Sequence, residues 1–403
     1  MFSTRVRMVA LLAAFSAVAA QAQISDGVVR IGVLGDMSGP YSDAGGAGAV
    51  VAARMAVEDF QAGGASDFRI EIVSADHQSK ADVGSAIARQ WYDVDGVDAI
   101  ADLTNSAVAL AVNEIARAKG KAVLATSPAT SALAGKACSP TTIQWTSDTW
   151  MLTHAIGDAV VRSGGDSWFF LSVDYTFGHE LERQTGEVVQ RSGGRVLGSV
   201  RHPLNTQDFS SFLLQAQASK AKIIGLASSG ADTINAIKQG ADFGIRRGGQ
   251  QFAGLMTLIT DVHALGLESA QGLLLAEPFY WDLNEGTRAW SERFASLHRG
   301  RKPTMNQAGV YAGVLHYLKA VRAAGSDDGR KAIDKMKELP TDDPLFGPGT
   351  IRQDGRKIHP VYLFEVKKPA ESKYPWDYYK LRATVPAEKA FRPISEGGCP
   401  LVQ

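Results

Sequence analysis

Residues 28–60 open with a short apolar run, Val28, Val29, Ile31, Val33 and Leu34, bounded by Asp26-Gly27 and by Gly35-Asp36. Near-continuous apolarity of that length predicts a strand buried on both faces. After a Ser/Gly/Pro/Tyr loop, Val50, Ala53, Val57 and Phe60 recur at spacings of three and four, with Arg54, Glu58 and Asp59 on other faces, the pattern of a helix packed on a sheet. The alternation continues: 69–75 then 81–91, 99–103 then 107–118, and 122–126, as expected for a parallel sheet covered by helices. A Pro/Ser/Thr-rich stretch, 127–149, interrupts it and marks a crossing into a second series. There a helical stripe at 151–160 precedes the apolar strand 168–173, followed by helix 181–189, strand 196–200, helix 209–218, strand 223–227 and helix 232–243. After an apolar stretch at 272–276, residues 277–284 (EPFYWDLN) lead into helices near 287–298 and 306–324, which are expected to return to the first lobe. From residue 339 onward proline and glycine turn signals surround one further strand, 361–366.

Met1 to Ala22 has the form of an export signal: Arg5 and Arg7, an apolar stretch over 9–20, and Ala20-Gln21-Ala22 as a small-x-small cleavage pattern. Cleavage near Ala22 predicts a periplasmic, unanchored chain, since no cysteine follows the cut and no later run nears the roughly 20 apolar residues of a membrane span. The remaining length exceeds the roughly 100–200 residues of one domain and predicts two lobes with separate cores. Lysine plus arginine equals aspartate plus glutamate at 42 each, so nothing asks for nucleic acid or an anionic membrane surface. Cys138 and Cys399 would meet an oxidising compartment; export and an even count favour a disulfide, the alternative being two buried free thiols.

Five segments together, IGVLGDMSGPYSDAGGAGAVVAARMAVEDF, ADLTNSAVALAVNEIA, ATSPATSAL, VDYTFGHELE and DTINAIKQGADFGI, resemble the substrate-binding proteins of ABC importers, in the branched-chain amino-acid (Leu/Ile/Val)-binding group. The resemblance implies an α/β fold of the type I periplasmic binding protein kind: two doubly wound parallel-sheet lobes joined by a three-crossover hinge. It implies a small ligand in the cleft, closure on binding, and delivery to permease membrane subunits driven by separate ATPases. The expected division is 1–22 signal, 23–145 and 277–350 first lobe, 146–276 second lobe, and 351–403 a return to the second lobe with a C-terminal tail. A monomer is expected, with no cofactor and no metal.

Loops between strand and helix are where a ligand sits in such sheets. The first-lobe candidates are therefore Ser38 and Tyr41, then Thr104, Asn105 and Ser106, then Ala129, Thr130 and Ser131, whose hydroxyls and helix-start N–H groups suit a carboxylate. Ordinary helix capping is the competing explanation for each. From the second lobe, Tyr175 and Phe177 match a position where an aromatic ring covers the ligand in the family, and Ser229 is a further candidate; Tyr280, at the lobe junction, is another, with packing there as the competing explanation. An α-amino acid needs an acid for its ammonium group. Asp261 stands near the place where amino-acid-binding relatives carry one: if it faces the cleft an amino acid fits, and if it caps the next helix the ligand is an aromatic or aliphatic carboxylate or a neutral amide.

Enzyme motifs fail on spacing. The glycines 45–48 lack the third glycine of a dinucleotide fingerprint, Arg183 stands where a zinc-protease helix needs its second histidine, and no G-x-S-x-G elbow occurs. An enzyme is not expected. A binding protein that signals to a receptor or regulator remains the alternative to import.

Overall fold

The computed structural model describes residues 24–64 and 66–402; the expected export signal lies outside them. In the first lobe β1 (Val28–Gly35), α1 (Gly46–Ala62), β2 (Arg69–Asp76), α2 (Ala81–Asp93), β3 (Ala99–Asp102), α3 (Ser106–Lys119), β4 (Ala122–Ala125) and β5 (Thr142–Gln144) build a parallel sheet in the order β2-β1-β3-β4-β5. The strands β3 and β4 are buried throughout and β1 nearly so, as their continuous apolar runs require, whereas the edge strand β2 is mostly half-exposed.

The second lobe repeats the plan. Here α4 (Thr149–Arg162), β6 (Ser167–Val173), α5 (Thr176–Arg191), β7 (Arg195–His202), α6 (Ser210–Ala218), β8 (Ile223–Ala227), α7 (Ala231–Asp242) and β9 (Gln251–Gly254) give a parallel sheet ordered β7-β6-β8-β9. The helices α8 (Ile259–Leu265) and α9 (Leu267–Ala270) lead to β10 (Leu274–Glu277). The chain then returns to the first lobe as α10 (Glu285–Leu297), α11 (Met305–Ala324) and α12 (Gly329–Glu338). Sixteen residues of α11 are buried because it lies between α1 and the strands β3 and β4.

Within the Pro/Ser/Thr-rich stretch 127–149 the chain stays in the first sheet through β5, a strand the sequence does not announce, and crosses at 145–148. The strand is three residues long and two of them are polar, too little for a periodic signal. A second crossing runs through 278–284. The hairpin of β11 (Thr350–Ile351) and β12 (Lys357–Ile358) lies beside β5, through a bridge between Gln144 and Arg356. A third crossing at 359–360 leads to β13 (Val361–Val366) and β14 (Tyr379–Val385), which join β10 in an antiparallel sheet.

Beyond β14 the tail, including α13 (Ala387–Ala390), passes back to the first lobe. There Arg392 Nη2 donates to the Ser131 carbonyl at 3.0 Å and Cys399 is disulfide-bonded to Cys138. No helix among the described residues is long and apolar enough to cross a membrane. The disulfide closes a loop with a sequence separation of 261, so it restrains the unfolded chain over most of its length. Replacing both cysteines by serine should cost about 2–4 kcal/mol of stability, read as a lower denaturation midpoint; an unchanged midpoint would mean that the packing of the tail suffices.

Candidate functional site

The carboxyl ends of both parallel sheets face one another across a cleft, and a narrow cavity of about 20 Å³ lies between them. It is lined by Tyr41, Ala44, Thr104, Ser106, Ser127, Ala129 and Asn306 from the first lobe and by Tyr175, Phe177, Ser229 and Met256 from the second. Seven of these positions are set by a helix start. Ala44 precedes α1, Thr104 and Ser106 flank the Asn105 cap of α3, Tyr175 and Phe177 begin α5, Ser229 precedes α7, and Asn306 lies in the first turn of α11. The amino ends of five helices therefore point at one small volume, each contributing a partial positive charge.

Tyr41 is positioned by Asp36, whose carboxylate accepts from the Gly39 and Tyr41 N–H groups at 2.8 and 3.0 Å and from Ser79 Oγ at 2.9 Å. The Tyr41 hydroxyl then meets that of Tyr175 at 2.9 Å across the cleft, and burial pushes both phenols above their ordinary range. The Tyr175 and Phe177 rings, 6.0 Å apart, with Met256 form the apolar side of the cavity. Asn306 is buried, and its Oδ1 has no hydrogen-bond partner among the described residues, which leaves it available to a ligand. No lining residue carries a charge.

The lobes are closed on each other. Glu180 of α5 accepts from Thr130 Oγ1 at 2.8 Å, from the Ser131 N–H at 3.0 Å and from Thr149 Oγ1 at 3.0 Å, and Gln184 Nε2 donates to Ser131 Oγ at 2.9 Å. Ala231 N–H reaches the Pro40 carbonyl at 3.4 Å.

Seven of the residues named from sequence come together in the cavity: Tyr41, Thr104, Ser106, Ala129, Tyr175, Phe177 and Ser229. The other six lie elsewhere, each for a visible reason. Ser38 Oγ donates to Asp76 at 2.6 Å, and Asn105 caps α3 by accepting from the Ala107 and Val108 N–H groups. Thr130 and Ser131 are spent on Glu180 and Gln184. Asp261 Oδ2 accepts from the Leu258 N–H at 2.9 Å, so it caps α8, and burial pushes its carboxyl up to about 7. Tyr280 stacks on Tyr379 and donates to the Trp376 carbonyl at 3.1 Å. Of the lining residues not named from sequence, Ser127 stands directly after a strand inside a segment already singled out, which is the signal that would have found it. Ala44, Met256 and Asn306 carry no such mark. Among the described residues no cluster of histidine, cysteine, aspartate or glutamate could hold a metal ion.

A family model described as periplasmic binding protein matches residues 28–373. A periplasmic binding protein from Burkholderia mallei is 47% identical with a TM-score of 0.91, over 94% of this chain and 100% of that one. A branched chain amino acid ABC transporter periplasmic ligand-binding protein from Burkholderia xenovorans LB400 is 40% identical with a TM-score of 0.81, over 93% and 99% of the two chains. The Leu/Ile/Val-binding protein homolog 6 of Brucella melitensis biotype 1 is 29% identical over 374 residues, 90% of this chain and 93% of that protein.

Hydrogen bonds to a charged acceptor contribute roughly 1.5–3 kcal/mol each, and those from Thr130 and Ser131 to Glu180 join opposite lobes. Glu180→Ala should therefore shift the population toward the open form, seen as a larger radius of gyration in solution scattering than the parent in the same buffer. Equal radii would show that Glu180 does not hold the lobes together.

Proposed function

Because the chain belongs to the periplasmic binding protein family, we propose that it captures a small monocarboxylate lacking an ammonium group and hands it to the permease of an ABC importer. The observation that carries this reading is the meeting of five helix amino ends at a cavity with no charged side chain. Helix ends and hydroxyls favour an anion. A buried ammonium group would need a carboxylate, and the one acid considered for that role, Asp261, is occupied in capping α8. The Tyr175 and Phe177 rings and Met256 suit an aromatic or branched aliphatic body.

Capture starts on the first lobe at Thr104, Ser106 and Ser127. The second lobe then brings its aromatic wall down, and the contacts of Glu180 and Tyr175 that exist only on closure convert ligand affinity into a population shift. The names of the relatives support import and also favour a second reading, a branched-chain amino acid as ligand.

A thermal-shift screen separates the two readings with pairs that differ in one group: 4-methylpentanoate against leucine, and benzoate against benzamide. Ligand binding stabilises by about 2.7 kcal/mol at a hundredfold excess over the dissociation constant. The carboxylates without ammonium should raise the melting temperature while leucine, isoleucine, valine and benzamide do not. Stabilisation by leucine and not by 4-methylpentanoate would overturn the proposal.

A further inference from the structure

One buried acid beneath the cavity keeps an oxygen to which the fold supplies no donor. Asp102 ends β3, is 0% exposed, and is followed by Leu103, both with left-handed backbone, φ 79° and 66°. Its Oδ1 accepts from Ser127 Oγ, and Ser127 lines the cavity. Its Oδ2 has no hydrogen-bond partner among the described residues. That oxygen is seated against two glycines: a Cβ on Gly35 would lie 2.4 Å from it and one on Gly45 2.8 Å, so the sequence makes room for the carboxyl and supplies no donor. The contrast with Asp36 is direct, since Asp36 accepts from two N–H groups and a hydroxyl.

We propose that Asp102 gates anion capture through Ser127: a protonated Asp102 donates to Ser127 Oγ and frees the serine proton for a ligand carboxylate, so binding an anion takes up one proton. An ionised Asp102 instead consumes the serine proton and turns only oxygen lone pairs toward the ligand. This rests on the carboxylate reading of the cavity and adds a rule for when the anion is accepted.

The groups around Asp102 leave it free to titrate. From the loop after β1 it faces Asp36, whose negative charge disfavours ionisation, while the residue before α1 is Gly45 and the loop after β4 presents Ser127. From the loop after β2, His77 approaches through Thr104 Oγ1 at 3.5 Å; burial pushes that imidazole down to about 4, so it stays neutral above pH 6. Burial first, then the Asp36 charge, push the Asp102 carboxyl up to about 7 against the opposing Ser127 bond. In the second lobe Asp232 and Asp261 are also raised by burial, to about 6 and about 7, and a substitution at Asp102 is what separates its proton from theirs.

The sign follows from linkage. Below about pH 7 Asp102 already holds its proton and affinity is level, whereas above it each pH unit weakens carboxylate binding about tenfold. Calorimetry of the whole protein with benzoate and with 4-methylpentanoate, at pH 6 and 8 in buffers of different ionisation enthalpy, should give a dissociation constant about tenfold higher at pH 8 with nearly one proton taken up. Asp102→Asn carries a permanent donor to Ser127, so it should bind at pH 8 about tenfold more tightly than the parent, with no pH slope. Ser127→Ala should weaken binding at pH 6 and lose the slope as well, which keeps the test decisive if the Asp102 variant fails to fold. Equal affinity at both pH values, or a slope that persists in the variants, overturns the gate and leaves the carboxylate reading intact. Absence of binding by both carboxylates at both pH values overturns that reading and the gate with it.

Discussion

A buried volume ringed by helix amino ends and free of charged side chains is the constraint on which the rest of this molecule depends. Parallel sheets bring it about, because every strand ends and every following helix begins on the same edge. With two such sheets edge to edge, the loops after β1, β3 and β4 meet those after β6, β8 and β9. The hydrogen-bond donors then come from the backbone, whose dipoles are fixed by the helices and need no counter-ion when the cleft opens to water. A lysine or arginine in the same place would lose its hydration on each closure, at a cost of several kcal/mol before any ligand contact. Hydroxyls and oriented backbone groups undergo a smaller change in hydration when such a cleft closes.

Closure of that volume requires a hinge that bends without shearing, and the hinge is organised around one buried cation. Arg356 is 0% exposed; its guanidinium donates to the carbonyls of Thr146 and Ser147, lies 3.6 Å from Asp148, and sits 4.2 Å over the Phe391 ring. Burial pulls its pKa down to about 10, still well above neutrality, so the charge is retained. The first crossing, the segment before the third crossing and the returning tail are thereby held at one point. His359 adds to it, with Nε2 near the carbonyls of Trp145 and Thr146 at 3.1 and 3.0 Å, and burial keeps this ring neutral. Neighbouring crossings tied to one another can rotate together, which limits the lobes to opening and closing.

The sheets are legible in the sequence because their central strands are continuous apolar runs: β1, β6 and β8 stand out from their flanking turns, and the helices between them keep a spacing of three and four. Strands of three or four residues such as β5 and β9 are not legible, since a run that short has no period and takes its identity from the strand it pairs with. The same division holds at the site. Thr104, Ser106, Tyr175 and Phe177 announce themselves by standing between a strand and a helix. Whether such a residue faces the cavity or merely caps depends on rotation about the helix axis, which is why Thr104 and Ser106 line it while Asn105 between them turns away. Asp261 leaves two readings open in sequence for the same reason, and its bond to the Leu258 N–H selects capping. Arg356, Asp102 and Asn306 carry no sequence signal, because their importance lies in burial and in partners more than two hundred residues away or in a partner they lack.

The segment 127–138 is where these strands of reasoning meet. Its first residue offers a hydroxyl to the cavity, and its last is fastened by the disulfide to the C-terminal tail. Between them Ser131 is held through every polar group it has: the N–H by Glu180 and the hydroxyl by Gln184, both on α5, and the carbonyl by Arg392 of the tail. The bonds to α5 come from the second lobe and depend on closure, whereas the bond to Arg392 and the disulfide belong to the first lobe and persist when the cleft opens. The tail therefore holds this loop by bonds that do not cross the cleft. A loop ordered in this way meets the entropic cost of its ordering on folding.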